Sequence, residues 1–277
     1  MNTPALALVD GKVVPIEDAK IPISDNGYLL GDGVFETMRT KHDGSLFRPE
    51  LHLARASKGL RKILIETDIS ELFLESAEVL RKEAVKQIGS YLYIRINLSS
   101  GSGYRWSAAP DLKVTGIAKP LEKAKADSLN CVVWRRYSEK YELSNTKSLS
   151  YARSAAMRRQ VNIVDKDDII IVNDNDMVVE ASIGNLIARK GSMIYAPGAE
   201  SGALNGTTRQ IIIEELIDKS NYQIQEQLSA KNLYECDEVM LTSSLSGVRR
   251  VSQIEQIVYD QNILFEKLSK SYENLLN

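Results

Sequence analysis

Residues 119–128 read KPLEKAKADS, with Leu121 as their one large apolar side chain. A stretch so charged gives a core nothing to bury, so it reads as a linker, and its flanks decide the fold. On one side LKVTGIA (112–118) is a β-rich run, and on the other LNCVVWRRY (129–137) is a second. Neither flank continues into the regular strand and helix alternation of a doubly wound sheet. The expectation is therefore an α+β chain of two mixed α/β domains, a smaller one over 1–118 and a larger one over 129–277.

Working outward, LALVDGKVVPI (6–16) reads as a hairpin turning at Asp10-Gly11, and VFETMRT (34–40) alternates as a strand. The turn at His42-Asp43-Gly44 is expected to return the chain through Ser45-Leu46-Phe47 into a second pairing. From Pro49 the period changes, and Leu53, Ser57, Leu60 and Leu64 fit one helical face. A second helix is expected over about 69–88, marked by Phe73, Ala77, Leu80 and Ala84. YLYIRINLS (91–99) is a strand, and SGSGYRWSAAP (100–110) is a loop. Beyond the linker, a helix over about 150–164 separates LNCVVWRRY from DDIIIVN (167–173). NLIARKG and SMIYAP (185–197) form a hairpin, TTRQIIIEELIDK (207–219) a helix and DEVMLTSS (237–244) a buried strand. An amphipathic helix closes the chain.

The 277 residues suffice for two cores, and 35 basic against 37 acidic side chains leave a net charge of −2. That balance gives no general pull toward nucleic acid or anionic membrane, so the expected partner is a small molecule or a second copy. Cys131 and Cys236 form no CxxC, which suits packing in a reducing compartment. With no basic leader or long apolar run, a soluble, cytoplasmic protein is expected. His42 and His52, the two histidines, cannot build a multi-histidine metal site, so none is expected. No G-x-S-x-G is present to suggest a hydrolase.

Chemistry must come from elsewhere, and NTKSLSYAR (145–153) places a lysine among small and polar residues. A lysine attacks a carbonyl as a free amine, which burial or nearby positive charge promotes. Glu180 lies in VVEASIGNL (178–186), where a half-buried carboxylate calls for a cationic partner such as a protonated pyridine nitrogen. In GALNGTTRQ (202–210), Gly206, Thr207 and Thr208 open a helix whose free N–H groups and hydroxyls suit a phosphate. Each feature alone has an ordinary reading: a solvated lysine, a turn glutamate, an N-cap threonine. Together they spell pyridoxal 5'-phosphate. A module that binds an anion without chemistry is the alternative from another class.

These stretches, with ISDNGYLLGDGVFETMR (23–39), ELHLARAS (50–57) and DEVMLTSSLSGV (237–248), resemble the class IV aminotransferases, the fold-type IV pyridoxal-phosphate enzymes. The resemblance spans nearly the whole chain in six ordered blocks. It implies that Lys147 forms the Schiff base and shuttles the proton, that Glu180 pairs with the pyridine nitrogen, and that Thr207, Thr208, Ser244 and Arg55 hold the phosphate. Tyr151 is similar to a residue that approaches the phenolic oxygen of the cofactor. A homodimer is also implied.

Within that family the local wording of GDGVFETMR, INLSSGSGYRW (96–106), SGALNGTTRQ and TSSLSGV (242–248) is closest to 4-amino-4-deoxychorismate lyase, which forms 4-aminobenzoate and pyruvate in folate synthesis. Phe35 stands where D-amino-acid enzymes carry a tyrosine. D-amino-acid and branched-chain transaminases are the alternatives, since similarity of fold does not choose a substrate. Arg95 and Arg105 are the expected receivers of a substrate carboxylate, with Arg39 a third.

Overall fold

A computed structural model of the chain describes residues 4–103, 110–122, 128–135 and 145–277. The chain divides into two compact units, one of Met1–Glu122 with Thr146–Tyr151 and Leu276–Asn277, the other of Lys123–Asn145 with Ala152–Leu275. Both mix helices with sheet, as an α+β chain requires.

The first unit is built on an antiparallel sheet in the order β2-β1-β5-β4-β3, with β1 Leu6–Val9, β2 Lys12–Pro15, β3 Gly33–Arg39, β4 Leu92–Ser99 and β5 Lys113–Pro120. Asp10 and Gly11 both take positive φ, 50° and 73°, which matches the twist of the β1-β2 hairpin. Along β4 the faces alternate: Leu92, Ile94, Ile96 and Leu98 join the core, and the intervening Tyr93, Arg95 and Asn97 point the other way. Two helices cover the apolar face, α2 (Pro49–Lys62) and α3 (Ser70–Gln87), preceded by a short α1 (Asn26–Leu29). Phe73, Ala77, Leu80 and Ala84 of α3 are all fully buried, the expected stripe.

Helix α2 differs from its expected face. It buries His52, Ala56, Gly59 and Leu60, while Leu64 is 75% exposed beyond the helix end at φ 60°. The stripe has rotated toward His52 because the buried acid of β3 lies there, as described below. Ser45-Leu46-Phe47 makes one bridge, Thr40 to Leu46, and not a strand.

The division between the units, after Glu122, falls within the stretch 119–128 read as a linker. Lys119 and Pro120 still pair with Tyr93 and Leu92 in the sheet, and the Leu121 N–H donates to the Tyr91 carbonyl. Residues 146–151, expected with the larger C-terminal domain, pack with the first unit. The cause is main-chain pairing to β3: the Phe35 N–H donates to the Lys147 carbonyl at 2.9 Å and the Leu149 N–H to the Gly33 carbonyl at 3.0 Å. Gly31 makes room for the segment, since at φ 70° a Cβ there would lie 2.7 Å from the Ser150 Cα.

Among the described residues of the second unit, nine strands form one sheet: β6 Ser128–Arg135, β7 Asp168–Val172, β8 Val178–Ala181, β9 Asn185–Lys190, β10 Met193–Tyr195, β11 Gln223–Gln225, β12 Glu238–Ser243, β13 Gly247–Ile254 and β14 Ile257–Val258. Their order is β11-β10-β9-β12-β13-β6-β7-β8, with β14 on β13. The helices are α4 (Ala152–Ile163), α5 (Thr207–Ile211), α6 (Ala230–Leu233) and α7 (Ile263–Asn274). The long helix expected over 207–219 is α5 followed by a π-helical turn, Ile212–Leu216. Cys131 and Cys236 are buried and unpaired, and burial pushes the Cys236 thiol up to about 12.

Candidate active site

In the first unit the pairing of 147–149 with β3 sets Lys147 opposite Phe35, so both side chains leave the same face. The Lys147 Nζ stands 4.3 Å from the centre of the Phe35 ring and 5.7 Å from that of Tyr151. The two rings meet edge to face, 5.1 Å apart at 87°. Phe35 is also opposite Asn97 on β4, and the Arg95 guanidinium stacks on its ring at 3.6 Å. Arg95 donates from Nε to the Asn97 Oδ1 at 2.7 Å, and Asn97 donates in turn to the Thr115 Oγ1. An amine, a guanidinium and two aromatic rings are thus gathered on one side of the sheet.

The other side of β3 carries a residue that the reading of the sequence overlooked. Glu36 is 1% exposed and faces α2, where His52 and Arg55 sit three residues apart on one helical face. Burial alone would raise its carboxyl, but the charge and hydrogen bonds of Arg55, with those of His52, hold it at about 2. His52 donates from Nδ1 to the Glu36 Oε2 at 2.7 Å, because an ionised carboxylate only accepts. Burial keeps His52 below its usual value, Glu36 opposes that, and Arg55 and Lys147 add to the lowering. The signal was present in the sequence: within β3, Glu36 shares its parity with Val34 and Met38, both core residues.

In the second unit, β8 carries Glu180 one residue before its end, and the Glu180 Oε2 accepts the Leu204 N–H at 3.0 Å. The Leu204 carbonyl accepts from the Asn185 Nδ2 at 2.7 Å, so one residue is gripped at both polar groups. Asn185 was also unforeseen. Its Oδ1 lies where a Cβ on Gly206 would come, at 1.8 Å, so any larger residue at the head of α5 must push the Asn185 amide aside. Next to it Thr207 and Thr208 are 3% and 2% exposed. The Thr207 and Ser244 hydroxyls pair at 3.0 Å, brought together because β12 pairs Thr242 with Asn185. The Thr208 hydroxyl turns instead to the Tyr272 hydroxyl of α7, at 3.2 Å. The first turn of α5 thus offers backbone N–H groups beside the hydroxyls of Thr207 and Ser244, a donor set and a glycine-floored cradle that fit a phosphate.

Of the expected residues, Phe35, Arg55, Arg95, Lys147 and Tyr151 belong to the first unit, and Glu180, Thr207, Thr208 and Ser244 to the second. Arg105 lies outside the described residues. Arg39 is 4% exposed and donates to the Tyr91 hydroxyl at 2.9 Å, so it is held at the sheet edge. Among the described residues, no three of His, Cys, Asp and Glu gather as metal ligands, and no helix is long and apolar enough to cross a membrane.

Residues 33–254 match the sequence profile of amino-transferase class IV. The chain belongs to that family and is an enzyme; enzymes of the family depend on pyridoxal 5'-phosphate. It is 26% identical to the aminodeoxychorismate lyase of Bacillus subtilis, over 91% of this chain and 87% of that one. It is 25% identical to the D-alanine aminotransferase of Bacillus licheniformis, over 90% and 88%. In structure it superposes on the branched-chain amino acid aminotransferase of Escherichia coli with a TM-score of 0.85 at 22% identity, covering 99% and 95% of the two chains, so the fold is that of the fold-type IV transaminases.

Proposed function

We propose that this enzyme acts on an amino-acid-like substrate with pyridoxal phosphate as its cofactor, and that the reaction is the 4-amino-4-deoxychorismate lyase reaction. The observation that carries the reading is the grouping around Phe35: the amine of Lys147 at 4.3 Å and the guanidinium of Arg95 at 3.6 Å from one ring. A base and a carboxylate receiver on the same face let a substrate be held by its acid while its α-proton is removed.

Bound pyridoxal phosphate supplies the electron sink. Lys147 would supply the amine that holds the cofactor and, when released from it, would move the substrate proton at Nζ. Glu180 keeps a proton on the pyridine nitrogen, supported by its ordered position against Leu204. Thr207, Thr208, Ser244 and Arg55 hold the phosphate. Tyr151 orients the ring oxygen, and Phe35, Arg95 and Arg105 receive the substrate.

The lyase reading is favoured by the local wording of residues 31–39, 96–106, 201–210 and 242–248; D-amino-acid or branched-chain transamination is the alternative. The test is incubation with aminodeoxychorismate and, separately, with L- and D-amino acids plus 2-oxo acids. Pyruvate and 4-aminobenzoate support the lyase; amino transfer without elimination overturns it. A homodimer is supported by Ile23, Tyr28 and Leu30, which are 77%, 63% and 56% exposed within eight residues, an apolar surface suited to a second copy. Two unpaired thiols support a cytoplasmic setting.

A further inference from the structure

The proposed function gives no role to Tyr272, a tyrosine only 2% exposed near the C-terminal end of α7. It continues the stripe of Leu264 and Leu268, whose four-residue spacing keeps one helical face inward. That face packs on β12, β13 and the π-helical turn after α5. The start of α7 is pinned as well: the N–H groups of Leu264 and Phe265 donate to the two oxygens of the buried Glu238 carboxylate, at 3.1 and 3.0 Å. The helix that carries Tyr272 is thus fixed to β12, the strand that leads into Ser244.

The side chain of Tyr272 touches both chain segments that bear the hydroxyls of the cradle. Its phenolic oxygen is 3.2 Å from the Thr208 Oγ1. Its ring lies over Gly247, where a Cβ would come 3.2 Å from Cδ1 and Cε1, and Gly247 follows the turn that holds Ser244. A phenylalanine would pack there as well, so what the hydroxyl adds is its hydrogen bond to Thr208.

The direction of that bond decides what Thr208 can do. Each hydroxyl has one proton to give and two lone pairs to accept with, whereas phosphate oxygens are strong acceptors. If Thr208 donated to Tyr272, its proton would be engaged inside the protein. With Tyr272 as the donor, Thr208 keeps its proton for an anion beside it. We propose that Tyr272 is a positioning residue for the cofactor phosphate: it donates to the Thr208 Oγ1 and so leaves the Thr208 proton to the phosphate. The proposal rests on the assignment of Thr208 to the phosphate and adds α7 to the elements that shape the cofactor site.

The test is absorbance titration of the full chain, freed of cofactor, with pyridoxal phosphate and separately with pyridoxal, in the wild type, Tyr272→Phe, Thr208→Val and the double variant. Phenylalanine keeps the ring over Gly247, and valine keeps the shape of threonine. Tyr272→Phe should weaken pyridoxal phosphate about tenfold and leave pyridoxal as it was. Thr208→Val should weaken the phosphate ester at least as much. In its background Tyr272→Phe should add nothing, because the hydroxyl through which Tyr272 acts is gone. An unchanged affinity of Tyr272→Phe for the phosphate ester, an equal loss for pyridoxal, or losses that add in the double variant would each overturn the role of Tyr272. The assignment beneath it fails differently: a wild type that binds pyridoxal as tightly as pyridoxal phosphate, or a Thr208→Val variant that still prefers the ester as the wild type does, would overturn that assignment and this proposal with it.

Discussion

Arg55 meets Glu36 through two nitrogens, Nε to Oε1 at 2.8 Å and Nη2 to Oε2 at 2.5 Å, with the carboxylate 1% exposed. The pair fixes the plane and direction of a guanidinium that the proposed function gives to the cofactor phosphate. In that proposed role Glu36 would act on the site through Arg55. Replacing it by glutamine keeps the shape and removes the charge. Glu36→Gln should lower unfolding stability in urea by roughly 3–5 kcal/mol, the usual effect of breaking a buried pair. It should also weaken pyridoxal phosphate by about 10- to 100-fold in an absorbance titration, while pyridoxal, which has no phosphate, binds with little change.

The same pair predicts how the protein responds to acid. The Glu36 carboxyl is held at about 2 against an ordinary 4.5, so the folded state binds its proton later than the unfolded state. Its stabilisation is complete above 4.5 and is lost as pH falls toward 2. At about 1.4 kcal/mol per pH unit this amounts to roughly 3 kcal/mol. His52, lowered from 6.5 by burial, has the same sign, and its share begins to go below 6.5. Urea midpoints should therefore fall on acidification from pH 7, with a further drop below 4.5. In Glu36→Gln the drop below 4.5 should be smaller; an identical profile would contradict the assignment.

Arg95 is stacked on Phe35 and tied to Asn97, which leaves a planar donor fixed beside the Lys147 amine. Arg95→Gln should raise KM for the carboxylate substrate by roughly 10- to 100-fold and leave the absorbance of bound cofactor as it was. A change in the absorbance with no change in KM would place Arg95 on the cofactor.

A methyl group at Gly206 would meet Asn185, since its Cβ would sit 1.8 Å from the Asn185 Oδ1. Gly206→Ala should displace Asn185, release the Leu204 carbonyl and weaken the cofactor by about tenfold or more. Adding Asn185→Ala removes the atom that is struck and should recover part of the loss. Two independent losses that simply add would contradict the steric account.

Much of this was legible from side-chain pattern alone. Phe73, Ala77, Leu80 and Ala84 announced α3 because three- and four-residue spacing has few other uses, and they form its buried stripe. The blocks around Lys147, Glu180 and Thr207 announced a cofactor because small and polar residues beside apolar runs are not needed for packing. What stayed hidden depended on partners distant in sequence. The face of α2 could not be read from its leucines, because a charge on β3 had to be neutralised by His52 and Arg55. Strand β13 went unseen, since Gly247–Ile254 carries two arginines, a serine and a glutamine on its half-exposed positions. The membership of residues 146–151 in the first unit rests on main-chain hydrogen bonds to Gly33 and Phe35, which leave no mark on side-chain pattern.

The central claim is that Lys147 bears the cofactor. Borohydride reduction of the holoenzyme, followed by digestion and mass spectrometry, tests it directly. The expected result is one pyridoxyl adduct, on the peptide containing NTKSLSYAR, at Lys147. An adduct on any other lysine, or an active enzyme that carries none after reduction, would contradict it.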